Sequence, residues 1–166
     1  MLNKLYPDTY LDSIDDIDFE MYYKKGIRGI VSDIDNTLVP HGAPADEHII
    51  KVFEKIHGMG MDTCLISNNK KLRVEPFAKA VNSKFIYDAH KPSRESYKKA
   101  MELMNTDKES TLFIGDQIFT DIWGANRTGI ETVMLKQIDK KEEIQIILKR
   151  IPEKLILWLW KRKVRK

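Results

Sequence analysis

Five short apolar runs, each followed by polar residues and most separated by a stretch with helical spacing, constrain this chain more than any other feature. The runs are Ile27–Val31, 61–67, 85–89, 111–116 and 131–135; the helical stretches between them are 46–60, 71–81, 93–104 and 119–129. In 46–60, Ile49, Ile50, Phe53 and Ile56 fall on one helical face, with Asp46 placed to cap the start and Gly58 or Gly60 to stop it. Pro76 lies inside 71–81 and predicts a helix start at that proline. Ser93 is placed to cap 93–104. Strand and helix in strict alternation predict an α/β fold with a mainly parallel sheet and right-handed crossovers. A length of 166 residues suits one domain with a sizeable core. The expected organisation is a single domain over 1–166, with 141–166 as a basic helical tail.

Ligands of such sheets bind beyond the carboxyl ends of the strands, so the residues at those ends matter most. The first run ends in Asp33-x-Asp35, and the second in Ser67-Asn68-Asn69. His90-Lys91-Pro92 follows the third, and the fourth ends in Gly115-Asp116 with Asp121 five residues on. Any one of these alone reads blandly: Asp-x-Asp as a solvated turn, Ser67 as a strand-end cap, Lys91 as a surface lysine, Asp116 and Asp121 as a loop and a helix cap. Their common register reverses that reading. Asp33, Asp35, Asp116 and Asp121 make an oxygen-only ligand set suited to Mg²⁺ and a substrate phosphate. A carboxylate is repelled by a phosphate dianion; Mg²⁺ and the Lys91 ammonium relieve that repulsion and stabilise the equatorial oxygens. The expected roles follow. Asp33 attacks phosphorus to form an aspartyl-phosphate. Asp35 gives a proton to the leaving oxygen and later takes one from water. Ser67 donates to the phosphoryl oxygens, Asp116 binds the metal, and Asp121 serves as a further ligand or as a partner of Lys91.

The set 33-DIDNT-37, 67-SNN-69, 90-HKPS-93 and 115-GDQIFTD-121 resembles the four motifs of the haloacid dehalogenase (HAD) superfamily of phosphohydrolases. The resemblance covers about Ile27 to Leu135. It implies a Rossmann-like, doubly wound sheet, Mg²⁺ as cofactor and the same residue roles, with a backbone carbonyl of Asp35 added to the metal ligands. The forms DIDNTL and GDQIFTDIWGANRTG look like subclass IIIA, and within it like a bacterial branch related to mitochondrial phosphatidylglycerophosphate phosphatase. Members lacking the acid at the position of Asp35 are often transferases; this chain has it. Family members often carry a cap domain after the first motif or between the second and third. Neither gap here holds one, since Asp33 to Ser67 leaves room for a loop and a helix, and Ser67 to Lys91 for a helix and a strand. An open, capless site suits a phosphate presented by something large, such as a lipid headgroup. Around it, two readings stay open for several residues. His41 touches substrate or sits in a solvated loop. Arg127 binds a second anionic group or ends a helix as a favourable cation. Asn68 and Asn69 line the site or turn the chain.

Charge divides the chain. From Lys136 onward there are 11 Lys and Arg against 4 Asp and Glu, so the body is mildly acidic and the tail basic. Ile144, Ile147, Ile151 and Leu155 form a helical stripe, and Pro152 predicts the start of a second helical segment. The apolar run 155-LILWLW-160 is far short of the roughly 20 residues that span a bilayer. Trp158 and Trp160 beside 161-KRKVRK-166 suit the interface of an anionic membrane, against a plain helix packed on the sheet. Nothing else is basic, which argues against nucleic acid as a partner. Trp123 is expected in the core. The single Cys64 excludes an intrachain disulfide and a cysteine-only zinc site. It reads as a core residue of a reducing compartment, and the acidic N-terminus does not resemble a signal peptide. The expected place is the cytoplasm, with peripheral contact at the inner face of the membrane. The leading expectation is a Mg²⁺-dependent phosphomonoesterase acting on phosphatidylglycerophosphate. A soluble phosphatase for a nucleotide, sugar phosphate or phosphoprotein, and a non-catalytic scaffold, are the alternatives.

Overall fold

The computed structural model describes residues 2–139 and 144–164; residues 140–143, 165 and 166, part of the expected basic tail, lie outside the described residues. In chain order the elements are β1 (Thr9–Leu11), α1 (Phe19–Lys24), β2 (Gly29–Ser32), α2 (Glu47–Gly58), β3 (Asp62–Ile66), α3 (Lys71–Ala80), β4 (Lys84–Ile86), α4 (Arg94–Met104), β5 (Thr111–Gly115), α5 (Trp123–Thr128), β6 (Glu131–Leu135) and α6 (Ile144–Val164). The strands form one parallel sheet in the order β1-β6-β5-β2-β3-β4. Among the described residues no cap domain interrupts it. The chain runs one way from β2 through β3 to β4 and the other way from β5 to β6. The two halves therefore part between β2 and β5, which are hydrogen-bonded neighbours. A crevice opens at the carboxyl ends where an α/β sheet reverses its winding.

Side-chain alternation along each strand builds two cores. Ile30, Leu65, Leu112 and Ile114 face α1, α2 and α3 with Phe53, Val74 and Phe77. Val31, Cys64, Ile66 and Phe113 face α4 and α5 with Tyr97, Ala100 and Ala125. Both faces of the central strands are covered, which is why those strands read as continuous apolar runs. Gly124 allows the second core to close. A Cβ there would overlap the Tyr97 ring.

Several local readings meet a different outcome. The helix α3 begins at Lys71, ahead of Pro76. The carbonyl left without a donor by Pro76 belongs to Leu72, in the first turn and exposed to solvent, so Pro76 costs the helix no buried hydrogen bond. Likewise α6 runs unbroken through Pro152 instead of restarting there, and Leu148, whose carbonyl loses its partner, is exposed. The stretch 119–129 is one turn of π-helix, Ile118–Ile122, followed by the short α5. Trp123 is half-buried, not core, with the Arg127 guanidinium 4.9 Å from its ring centre. The edge strand β1 had no counterpart in the sequence reading. It is three residues long, and Asp8 beside it accepts the Thr132 amide at 2.8 Å.

Candidate active site

The carboxyl ends of β2 and β5 bring three carboxylates together. Oxygens of Asp33, Asp116 and Asp121 all lie within 4.8 Å of one another, and all three residues are buried. Asp33 follows β2 directly, its amide donating to the Ile114 carbonyl of β5 at 3.0 Å. Asp116 follows β5. Asp121 reaches back from the π-turn, where its Oδ2 accepts the amides of Asp116 at 3.2 Å and Gln117 at 3.1 Å. That return needs Gly115, because a Cβ there would stand 2.7 Å from the Asp121 side chain. The wide turn is thus the device that carries the second carboxylate of 115-GDQIFTD-121 to the strand end.

Two cations face the cluster. Lys91 Nζ donates to Asp33 Oδ1 at 2.5 Å and to Asp121 Oδ1 at 2.8 Å, and its side chain is almost wholly buried. Asn68 sets the Lys91 backbone by accepting its amide at 2.7 Å and donating to its carbonyl at 3.4 Å. From α6, Arg150 donates to Asp116 Oδ2 at 2.5 Å and to the Asp116 carbonyl at 2.8 Å. Thr37 Oγ1 lies 3.2 Å from Asp33 Oδ2 and 3.0 Å from Asp116 Oδ1. A hydroxyl has one proton, so it serves one of these oxygens and leaves the other facing an oxygen. Three carboxylates against two cations, with one acceptor unserved, is a donor set that fits an added cation.

The electrostatics agree. Burial pushes the Asp33 carboxyl up to about 6, with Lys91 pulling the other way. Burial, then the charges of Asp121 and Asp33, pushes Asp116 up to about 8. Burial also opposes the charge on Lys91, but Asp121 and Asp33 overcome it and hold the ammonium charged well above its ordinary range. A metal cation would reverse the pressure on the carboxylates.

Asp35 behaves differently. The expectation put its carboxylate among the metal ligands, but the structure turns it away from the cluster. Its Oδ1 accepts the Gly42 amide at 2.7 Å and Arg73 Nη2 at 2.8 Å, and its Oδ2 accepts from Asn69 at 2.7 Å. Burial raises its pKa, but the Arg73 guanidinium and the Gly42 amide overcome that and hold the carboxyl below the ordinary value. Arg73 also donates to the Ala43 carbonyl at 2.7 Å, so one side chain ties Asp35 to the loop that follows it.

The cluster opens through a mouth lined by Asp33, Asp35, Ser67, Asn68, Lys91 and His41, with Gln117 and Thr120 on one wall. Ser67 is buried at the end of β3, its Oγ accepting the Asn69 amide at 3.1 Å. Arg127 is not in this mouth. It is exposed on α5, its guanidinium over the Trp123 ring. Two residues that hold the site were missed: Arg73 lies in the first turn of α3, and Arg150 stands 34 residues beyond its partner in a cation-rich tail. No local pattern marks either. Thr37 stands inside the first motif, two residues beyond Asp35.

Residues 88–145 match the HAD-hydrolase-like family model. The chain is 34% identical over 165 residues to the probable phosphatase YqeG of Bacillus subtilis, covering 98% of this chain and 96% of that one. It is 30% identical over 167 residues to phosphatidylglycerophosphate phosphatase 1, chloroplastic/mitochondrial, of Arabidopsis thaliana, covering 90% of this chain but only 45% of the plant protein. Among solved structures, an uncharacterised protein of Corynebacterium glutamicum superposes with a TM-score of 0.56 at 17% identity, covering 77% of this chain and 95% of that one.

Proposed function

The chain belongs to the HAD-like family of phosphatases, which makes it a phosphoric monoester hydrolase, and we propose that it acts on phosphatidylglycerophosphate through an aspartyl-phosphate on Asp33. The observation that carries the proposed chemistry is the buried set of Asp33, Asp116, Asp121 and Lys91 at the reversal point of the sheet. Similarity to the plant phosphatidylglycerophosphate phosphatase and an uncapped mouth support the lipid substrate.

Phosphatases of this family generally use a divalent metal, and for this chain we take it to be Mg²⁺, because every donor is oxygen. Asp33, Asp116 and Asp121 would hold it. Bound there, it would offset the charge of the phosphate and of the attacking carboxylate. The chain's own groups do the rest. Asp33 uses the carboxylate oxygen not held by Lys91 to attack phosphorus, and the bond from phosphorus to the leaving oxygen breaks. Lys91 and Ser67 then serve the phosphoryl oxygens, with Asn68 keeping Lys91 in place. Asp35 lines the same mouth, charged and clasped by Arg73, which is the state of a base. To act as the acid it takes a proton, leaves that clasp and gives the proton to the leaving oxygen. Water then attacks phosphorus, Asp35 takes the water proton, and the phosphorus bond to Asp33 breaks to release phosphate.

Phosphate release with Mg²⁺ from phosphatidylglycerophosphate in mixed micelles, beside a panel of soluble phosphomonoesters and with Asp33→Asn as the blank, tests this reading. Preference for the lipid is the expected result. Preference for a soluble nucleotide or sugar phosphate keeps the chemistry and overturns the substrate. An Asp33→Asn variant as active as the parent overturns the nucleophile, and no phosphate release by the parent from any ester leaves a scaffold as the better account.

A further inference from the structure

Among the described residues, the outward face of α6 has no partner in the fold. Leu148, Ile151, Leu155 and Trp158 follow one another at helical spacing and are between 51% and 70% exposed. The inward face is fully used. Ile156 packs on Ile118, Ile122 and Met134, Glu153 is buried, and Trp160 meets Tyr10 edge-on at 6.4 Å. An apolar stripe of this size on a charged helix marks an interaction surface.

Its charge says what covers it. Lys161, Arg162 and Lys163 follow the stripe, all exposed, and among the described residues none has a carboxylate partner. Lys161 and Lys163 lie over the rings of Tyr10 and Tyr6, and Arg162 lies 4.6 Å over the Trp158 ring. The sequence adds Arg165 and Lys166. We propose that this face of α6 docks on an anionic lipid bilayer, lying in the plane of the headgroups. A single convex stripe ending in uncompensated cations and an aromatic ring fits a flat negative interface. No described helix is long and apolar enough to cross a membrane, so α6 lies on the surface instead of spanning it. The helix is anchored beside the mouth by its inward face. Glu153 accepts the amides of Ile118 at 2.8 Å and Phe119 at 3.5 Å, in the same turn as Gln117 and Thr120, which wall the mouth. The inference deepens the lipid-phosphate reading and rests on it for the substrate, while the docking geometry stands by itself.

Co-sedimentation with vesicles of phosphatidylcholine alone, and of equal parts phosphatidylcholine and phosphatidylglycerol, tests it. The full chain is expected to bind the anionic vesicles and not the neutral ones. Leu155→Glu with Trp158→Glu is expected to lower the bound fraction about tenfold or more, with turnover of p-nitrophenyl phosphate unchanged. Equal binding to both vesicles, no binding, or anionic binding unaffected by the double variant overturns the proposal. Concentration-dependent dimers that the double variant abolishes, without vesicle binding, overturn it in favour of a second copy of the chain. Vesicle binding without hydrolysis of phosphatidylglycerophosphate leaves the docking face standing and removes the lipid substrate.

A different observation, on the inward face of the same helix, carries a second inference. Arg150 donates to both the side chain and the backbone of Asp116 while its Nη1 holds Glu153 Oε2 at 3.0 Å. We infer that Arg150 is a positioning residue, fixing the Asp116 carboxylate for the metal. Arg150→Ala is expected to raise the Mg²⁺ concentration for half-maximal thermal stabilisation by about tenfold, and Arg150→Lys to recover part of that. A lower melting temperature with an unchanged Mg²⁺ midpoint, or no stabilisation of the parent by Mg²⁺, overturns it.

Discussion

Asp33 and Asp35 stand two residues apart in one motif and occupy opposite surroundings. Asp33 lies on the floor of the mouth, buried against two other carboxylates and one ammonium, and its pKa is pushed up to about 6. Asp35 lies on the rim, held by Arg73, Asn69 and the Gly42 amide, and its pKa is pushed down. The floor is a site of unresolved charge and the rim one of resolved charge. The difference teaches that paired acids are divided into roles by what surrounds each, not by their chemistry, which is the same.

The comparison breaks most plainly at the nucleophile. Asp33→Asn is expected to lower kcat by roughly 10⁴-fold or more on any phosphomonoester. A residual rate within tenfold of the parent would mean that the floor is not where phosphorus reacts.

Removing each region's cation comes next. Lys91→Met leaves Asp33 and Asp121 buried without their shared ammonium, and about 3–5 kcal/mol of unfolding free energy is expected to be lost in a urea titration. Arg73→Met strips a rim carboxylate that keeps two other donors and some water, so about 1–2 kcal/mol is expected. Equal losses would erase the distinction between floor and rim.

Protons sharpen it further. Asp33 and Asp116 are raised to about 6 and about 8, so between the ordinary carboxylate range and those values the native chain holds protons the unfolded chain has released. The contribution of the floor to stability therefore falls as pH rises through that window without metal. Mg²⁺ competes with those protons, so its rise in melting temperature is expected to be small below about 6 and larger above about 8. A metal effect independent of pH would disconnect the floor from the metal.

The smallest effect belongs to the rim. Asp35 has a lowered folded pKa, so it contributes stability above the unfolded carboxylate value and loses it as pH falls through the lower folded one. In Arg73→Met the folded pKa of Asp35 moves back toward the unfolded value, so the acid-side loss of melting temperature is expected to be smaller than in the parent. Superimposable acid limbs would show that Arg73 does not hold the Asp35 charge.

Much of the frame was legible. The runs 111–116 and 131–135 match β5 and β6 almost residue for residue, because a strand covered on both faces leaves a continuous apolar signature. The start of α2 was legible because Asp46 caps it, accepting the Ile49 amide at 2.8 Å. Short and edge elements were not. In β1 three half-buried residues carry too little pattern to be read, and their register comes from pairing Thr9 with Val133, more than a hundred residues away. The two prolines were read by a local rule, and exposed carbonyls one turn earlier made that rule inapplicable.

In the site, the sequence by itself determined which chemical groups stand at the strand ends: Asp33, Ser67, Lys91 and Asp116, with Asp121 one turn beyond. That much is dictated by local spacing, because a parallel sheet brings all its carboxyl ends to one edge. Only the tertiary structure decided how those groups are held. It turned the Asp35 carboxylate toward Arg73, sent Arg127 to Trp123, and brought Arg150 from the last helix onto Asp116. The physical reason is the range of the forces. Apolar periodicity and capping act over a few residues and leave a mark in the chain, whereas a buried charge takes its partner from whatever folds beside it, at any distance in sequence.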